Sequence, residues 1–498
     1  MRAPILLVVV GAWVGLGVFA CGKSAESGGG GEAGAGGAAG SGGVTGGGGS
    51  GGSGASGGAG GTGASGGGGA DAGADSPADT GGDVVTDAAA DVVGDSADAG
   101  QNQPFGNGKD GPLNLPASST KLFGELSHAA AISTISGSNV VTAQSSTFAS
   151  GEEVMLINLQ GKATDVGSVG HYEFFHVTSK TGSTVTLDGA PTLSYGNAGG
   201  NSDLTGQKVF LVSVPNFTTV TIDGTLSANP WDGTAQGLGI VVFRASTSIT
   251  VGAAGAIDAS HFGYRSKGTA CNGVAGAYGE SIAPFPPPGS GTCVSWDNPH
   301  KQPNYGGGGG GLSDCNTYNC TTQPLGAAGG GASHGTLGLA GLANGSLHQG
   351  GLPGLLVGQP DLARLFPGSG SGAGAGGVGG PGTATPGGNG GGIVHLSSPS
   401  FAVTGAIRSD GQAGGVNSNC GGTGSGSGGG GAGGSIHLRG TTLQLAKVSA
   451  VGGAGGCQGG GAGGAGRIRI DYATLNGKAY PSGAASASDP PAYLGSAP

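Results

Sequence analysis

Charge is scarce in this chain: Asp, Glu, Lys and Arg together make up 9% of its 498 residues, and aromatic residues only 5%. With 18 Lys and Arg against 28 Asp and Glu, the net charge is -10. Phosphate-backbone binding needs clustered cations, so nucleic acid is excluded as a partner. Patterns of the G-x-G-x-x-G kind occur only through glycine abundance, without the preceding strand, following helix and lysine of a phosphate loop, and no cofactor is expected. What the chain does have is glycine, 123 residues, roughly a quarter of the sequence against an ordinary usage of about 7%. Hydrophobic residues still reach 36%, so the composition must be segregated, with some regions able to build a core and others not.

The segregation begins at the N-terminus. Met1 and Arg2 precede an almost unbroken apolar run over residues 3–20, a charged n-region followed by an h-region. Its length also allows a membrane-spanning helix or signal anchor. The sequence Val18-Phe19-Ala20-Cys21 resembles the lipobox of bacterial lipoproteins. That resemblance implies cleavage before Cys21, acylation of Cys21 and a membrane as partner through the lipid anchor. Gly22 follows where an Asp would favour inner-membrane retention, which points to the cell outer membrane or cell surface.

Residues 21–104 read as a disordered tether of Gly, Ser, Ala and Thr without helical or strand periodicity. About 80 residues of flexible coil span on the order of 50 Å, enough to lift a domain clear of a lipid surface. The distal part carries Asp71, Asp75, Asp79, Asp83, Asp87, Asp91, Asp95 and Asp98. On a helix they would form one like-charged stripe, so the spacing favours a solvated, self-repelling stretch. Cation binding is the alternative, but the glycine turn and terminal Glu of an EF-hand loop are missing.

Strand patterning starts after Phe105. Residues 152–160, 172–177, 184–187, 209–214 and 219–222 are short apolar or alternating runs, and 180–183 (KTGS) supplies a glycine turn for a hairpin. They predict a small N-terminal β-domain over 105–235. From Ile240 a weak repeat takes over. Residues 240–244, 393–397, 435–439 and 467–471 align, placing Val241, Val394, Ile436 and Ile468 on one strand face with Phe243, Leu396, Leu438 and Ile470. The other face carries Val242, His395, His437 and Arg469, then Arg244, Ser397, Arg439 and Asp471, a pattern suited to a sheet with one wet side. Second strands follow at 248–251, 401–404 and 443–446, and glycine tracts recur at 368–392, 411–434 and 452–466. Recurrence in register argues for a structural role, because side-chain-free backbones can pack very closely. The fold expected is all-β: the small β-domain, a glycine-rich repeat domain over 236–475 built as a β-sandwich or short β-solenoid with polyglycine segments, and a tail over 476–498.

The runs 151–157 (GEEVMLI), 171–174 (HYEF), 214–220 (VPNFTTV), 361–370 (DLARLFPGSG) and 463–472 (GGAGRIRIDY) together resemble bacterial extracellular glycine-rich domains of secreted and envelope proteins, over roughly 130–475. The tracts also resemble the glycine-rich domain of certain animal receptor kinases, where bundled polyglycine helices project from a β-sandwich. The likeness suggests an architecture and carries over no function.

With Cys21 assigned to lipid, Cys271, Cys293, Cys315, Cys320, Cys420 and Cys457 remain, an even number in an exported chain, which favours three disulfides among fifteen possible connectivities. Proximity favours Cys315 with Cys320 and Cys271 with Cys293, while Cys420 and Cys457 occupy similar places in successive tracts. Zinc is the rival reading, but only Cys315 and Cys320 come close to a paired motif, so no metal is expected.

No catalytic constellation stands out. His395 and His437 could bind a metal side by side, yet Val242 and Arg469 fill the equivalent positions, and an exposed polar column fits better. His171 and His176 lie five apart on a strand and face opposite ways. The expectation is a noncatalytic surface module for adhesion, recognition or envelope structure, with a glycan or envelope partner. Its candidate loops are 285–289 and 296–300. The alternative is a glycan hydrolase with paired carboxylates, for which residues 270–480 offer only Glu280, Asp297, Asp314, Asp361, Asp410 and Asp471. If the disulfide reading holds, alkylation of the unreduced protein labels none of the six cysteines; several free thiols would refute it.

Overall fold

The computed structural model describes residues 103–498 except 145, 267–275, 285–304, 308–326, 343–349, 376–384, 416–425, 457–458 and 482–487. The fold is all-β. β1 (Leu113–Leu115) and β2 (Thr120–Leu122) come first. Six strands then close an antiparallel barrel: β3 (Ala129–Ser136), β4 (Asn139–Thr142), β5 (Glu153–Gln160), β6 (Tyr172–Thr181), β7 (Thr184–Leu187) and β8 (Lys208–Ser213), ordered β3-β4-β7-β6-β5-β8. The expected hairpin is β6 and β7, turned at Gly182 with φ +60. Val154, Leu156, Val185 and Leu211 fill the barrel interior.

After the barrel the pairing changes character. The strands β9 (Asn216–Ile222), β10 (Thr225–Ser227), β11 (Ile240–Val251), β12 (Ala256–Asp258), β13 (Ile393–Ser397), β14 (Ser400–Val403) and β15 (Ala406–Arg408) stack in parallel, as do β16 (Ser435–Arg439), β17 (Thr442–Leu445), β18 (Val448–Ser449), β19 (Arg467–Tyr472) and β20 (Thr474–Leu475). Parallel pairing of like with like, coil upon coil, makes a β-solenoid, which decides against the sandwich. The first half of β11, then β13, β16 and β19, form one side; the second half of β11, then β14, β17 and β20, form the next; β10, β12, β15 and β18 form the third. The register matches the sequence repeat: Val241, Val394, Ile436 and Ile468 are neighbours, and so are Phe243, Leu396, Leu438 and Ile470. These side chains are buried in the solenoid core.

Two boundaries differ from those the sequence suggested. β1 pairs with β9 and β2 with β10, both parallel, so the solenoid begins before the barrel and the barrel is an insertion between coils. The division at 235/236 follows a change in composition and not a change in pairing: the early coil lacks a glycine tract, so nothing in its residues announced the repeat. The expected tail at 476–498 is also partly solenoid. β21 (Lys478–Ala479) closes against β20 antiparallel, while β22 (Ser488–Asp489) pairs with β18 and β23 (Tyr493–Ser496) with β19.

Glycine-rich excursions leave the solenoid after β12, β15 and β18 and return at β13, β16 and β19. Their described residues are neither helix nor strand, yet the hydrogen bonding of these residues is regular. The amides of Gly426, Gly429 and Ala432 donate to the carbonyls of Ala375, Gly372 and Ser369. Those of Gly428, Gly431 and Gly434 donate to Gly415, Gln412 and Ser409, and those of Gly430 and Gly433 to Gly461 and Gly464. One segment thus serves three neighbours in rotation, three residues per turn, which is the signature of a left-handed extended helix bonded only to its neighbours. The tracts form a bundle of polyglycine helices. A Cβ on Gly429 would stand 2.2 Å from the Gly330 carbonyl oxygen, and one on Gly434 would stand 1.9 Å from that of Gly392.

Gly429→Ala therefore forces backbones apart and should destabilise the protein by about 3 kcal/mol, at the upper end for overpacking. Gly189→Ala, whose Cβ would meet nothing nearer than Phe175 at 3.9 Å, should stay within about 1 kcal/mol of the parent in a urea melt.

Candidate functional site

The strands β11, β13, β16 and β19 alternate, so the residues between their core positions point away from the solenoid interior. His395 and His437 are aligned, with Arg469 next in the column; Arg244, Ser397, Arg439 and Asp471 form the adjacent column. The expectation of a wet face does not hold. His395 is 2% exposed, His437 1%, Arg244 3% and Asp471 1%. A third layer covers them, made by the barrel strands β5 and β6 and the segment around 357–366, and strand alternation alone carries no sign of such a layer.

The covered face is a seam of paired charges. The Arg244 Nε donates to Glu153 Oε1 at 2.6 Å, joining solenoid to barrel, and Asn216 Nδ2 donates to the other oxygen of Glu153 at 2.7 Å. The Arg244 guanidinium also lies 4.8 Å from the Phe174 ring centroid. His395 packs against Phe174 at 5.1 Å and edge-on to His437 at 4.8 Å between ring centroids. Further along, Asp471 accepts from His437 Nε2 at 2.8 Å and from Arg469 Nε at 2.9 Å, with Arg439 Nε at 3.8 Å. Arg469 reaches the Asp361 carbonyl at 2.7 Å, and Arg467 donates to the carbonyls of Val357 and Gly358, tying down the 357–366 segment.

Burial holds His395 well below the ordinary histidine pKa, and the neighbouring His437, Arg439 and Arg244 push the same way. Burial also lowers His437, outweighing its hydrogen bond to Asp471. For Asp471 burial alone would raise the pKa, but the His437 hydrogen bond and charge and the Arg469 guanidinium leave it below the usual range. The consistent state is a carboxylate at Asp471 and neutral histidines, with His437 donating through Nε2. Its Nδ1 has no hydrogen-bond partner among the described residues. A third buried histidine, His334, has its pKa lowered to about 3 by burial, aided by Arg467, and its Nδ1 meets the Gly433 carbonyl at 2.8 Å.

Other expected candidates fall elsewhere. Glu280 is held by Arg265 at 3.0 Å and by Gln160 at 3.1 Å, and Asp410 accepts from the Ser449 hydroxyl at 2.5 Å and the Val451 amide at 2.9 Å. Asp361 accepts from the Ala363 amide at 3.1 Å. His171 meets the Ser194 carbonyl at 2.6 Å, and His176 pairs with Asp188 at 3.3 Å. Among the described residues no group of three His, Cys, Asp or Glu side chains is placed to hold a metal ion. Cys21, Cys271, Cys293, Cys315, Cys320, Cys420 and Cys457 lie outside the described residues, as do Asp297, Asp314 and the loops 285–289 and 296–300.

A groove not foreseen from sequence crosses the turns of successive coils between the second and third sides. It has a volume of about 420 Å³, with Thr225, Asp258, Thr404, Arg408 and Lys447 among its lining residues and alanines between them. Asp258 and Arg408 are neighbours in register, and Arg408 Nε has no hydrogen-bond partner among the described residues. The groove is shallow and has a polar lining whose chemistry suits sugar hydroxyls and an acidic group.

No family model matches the chain, and no curated protein matches it. Two solved structures are weakly similar. The tailspike protein gp49 from Pseudomonas phage LKA1 is 14% identical over 28% of this chain and 24% of its own, with a TM-score of 0.13. The Pseudomonas phage phi297 tailspike gp61 is 8% identical over 73% of this chain and 52% of its own, with the same TM-score of 0.13. Likeness at that level carries no argument.

The buried histidines make stability depend on pH with a definite sign. In the unfolded chain a histidine takes up a proton near pH 6.5, whereas the fold holds His334, His395 and His437 neutral. Their contribution is therefore complete above about pH 6.5 and lost as the pH falls below it, at about 1.4 kcal/mol per unit for each histidine. Denaturant midpoints at pH 7.5 and 5.5 should show that loss, and His395→Gln should make the slope shallower by one histidine's share; an unchanged slope would contradict the assignment.

Proposed function

We propose that this protein is a noncatalytic recognition module of the bacterial envelope, tethered through acylated Cys21 and reading an acidic glycan in the solenoid groove. The observation that carries the reading is the division of polar groups. His395, His437, Asp471, Arg244 and Glu153 are buried and engaged with one another, where they hold layers together. The groove instead opens outward, with Lys447 exposed and Arg408 partly exposed in its lining, and these cations stand out on a chain with only 18 Lys and Arg. A guanidinium fork suits the carboxylate of a uronic acid, and Thr225, Thr404 and Asp258 suit hydroxyls. The alanines leave a surface against which a sugar ring can lie. The lipobox-like Val18-Phe19-Ala20-Cys21 and the glycine-rich stretch after it support the anchored, displayed location.

The test is a glycan array probed with the chain from residue 21, beside the variant Arg408→Ala/Lys447→Ala. Selective, saturable binding to uronate-bearing glycans, weakened at least about tenfold in the variant, is the expected outcome. Binding nowhere on the array would turn the reading toward a purely structural envelope role. Incorporation of labelled palmitate by the parent but not by Cys21→Ser checks the anchor separately.

A further inference from the structure

Exposed leucines are concentrated on one edge of the polyglycine bundle. Of the eight large hydrophobic side chains exposed among the described residues, five are Leu337 at 58%, Leu339 at 63%, Leu342 at 67%, Leu352 at 45% and Leu356 at 49%. The two runs that carry them lie side by side, since the Gly341 amide donates to the Gly351 carbonyl at 2.9 Å. Inward they belong to the lattice: Leu339 donates to the Ala462 carbonyl and Leu342 to that of Gly459. Outward, Leu337, Leu339 and Leu342 are each more than half exposed. The amides of Leu337 and Ala340, three residues apart, make no hydrogen bond among the described residues.

Outward positions of such a bundle accept any side chain, and polar ones would suit water best. Here the outward chemistry is aliphatic, and residues 315–360 contain no Asp, Glu, Lys or Arg, so no charged side chain of this stretch resists leaving water. The side chains also stop another glycine strand from approaching at lattice distance, which argues against extension of the bundle by a second chain.

We infer that this leucine edge rests on a lipid surface, inserting Leu337, Leu339 and Leu342 between lipid headgroups. The inference depends on the anchored reading above. About 80 residues separate Cys21 from the first described residue, and a coil of that length spans on the order of 50 Å, so an anchored domain never leaves the neighbourhood of the bilayer. At the effective concentration this creates, a weak apolar patch suffices to hold the domain down, as one short acyl chain does marginally. The absence of charge makes the contact indifferent to headgroup charge and to salt.

The experiment uses the chain from residue 21 with Cys21→Ser, so that no acyl group takes part, and vesicles of pure phosphatidylcholine at millimolar lipid. The unaltered edge should float with the vesicles equally at low and high salt. The variant Leu337→Ser/Leu339→Ser/Leu342→Ser should lose at least about tenfold in partitioning. These side chains are exposed, so the variant should keep its melting temperature. Failure of the parent to float, or equal flotation of the variant, overturns the inference. A parent that dimerises without floating, and a variant that does not dimerise, would assign the edge to a second copy and overturn it as well. Since acylation plays no part here, such failures leave the palmitate result at Cys21 untouched.

Discussion

A polyglycine helix can hydrogen-bond to neighbours on several sides only if no side chain stands between the backbones. In this protein the segment 426–434 donates in turn to three other segments, and a Cβ on its glycines would fall about 2 Å from their carbonyl oxygens. That distance explains the composition of the chain. A conventional core stabilises by burying apolar area, which needs large side chains. The bundle instead relies on satisfied backbone groups and close backbone contact, and each glycine in it brings a large entropic cost of ordering. Such a bundle needs an external frame to fix where its strands begin and end. The solenoid supplies it: the tracts leave after β12, β15 and β18 and re-enter at β13, β16 and β19, so the spacing of coils sets the spacing of glycine helices.

The buried seam has a different task. The barrel is an insertion between coils, joined to them by two chain crossings, and without lateral contact it could pivot. Arg244 and Glu153, both almost fully buried, lock it with a bond at 2.6 Å that Asn216 reinforces. Desolvating both charges costs nearly what their attraction returns, so the pair adds little net stability. Its effect is on orientation, because any other docking angle would bury an unpaired charge. The Asp471 cluster does the same for the 357–366 segment, which Arg467 and Arg469 hold through its carbonyls.

Alternation and recurrence were legible because they are local. The four aligned segments predicted the register of β11, β13, β16 and β19, and the KTGS turn predicted the β6–β7 hairpin. Layering was not legible. His395, Arg439 and Asp471 look like solvent-facing residues on an alternating strand, and only the barrel and the 357–366 segment above them make them interior. The same holds for the domain boundary: β1 and β2 are three-residue strands whose partners lie more than a hundred residues away. The groove combines residues from β10, β12, β15 and the turns between coils, none of which forms a motif in sequence.

A lattice that is bonded only to its neighbours has no intrinsic limit, and like an open sheet edge it invites further chains. This fold ends its two assemblies by different means. One side of the solenoid stops where β21 turns back antiparallel on β20, which breaks the parallel stacking there, while the other two sides run on in parallel to β22 and β23. Among the described residues, large exposed side chains return on the glycine bundle at the edge carrying Leu337, Leu339 and Leu342. Any residue larger than glycine would end the lattice there, so termination alone does not require leucine. The choice of an aliphatic and wholly uncharged edge, on a chain whose net charge is -10, is a separate property laid over the structural one, and it gives the bundle a face with its own chemistry.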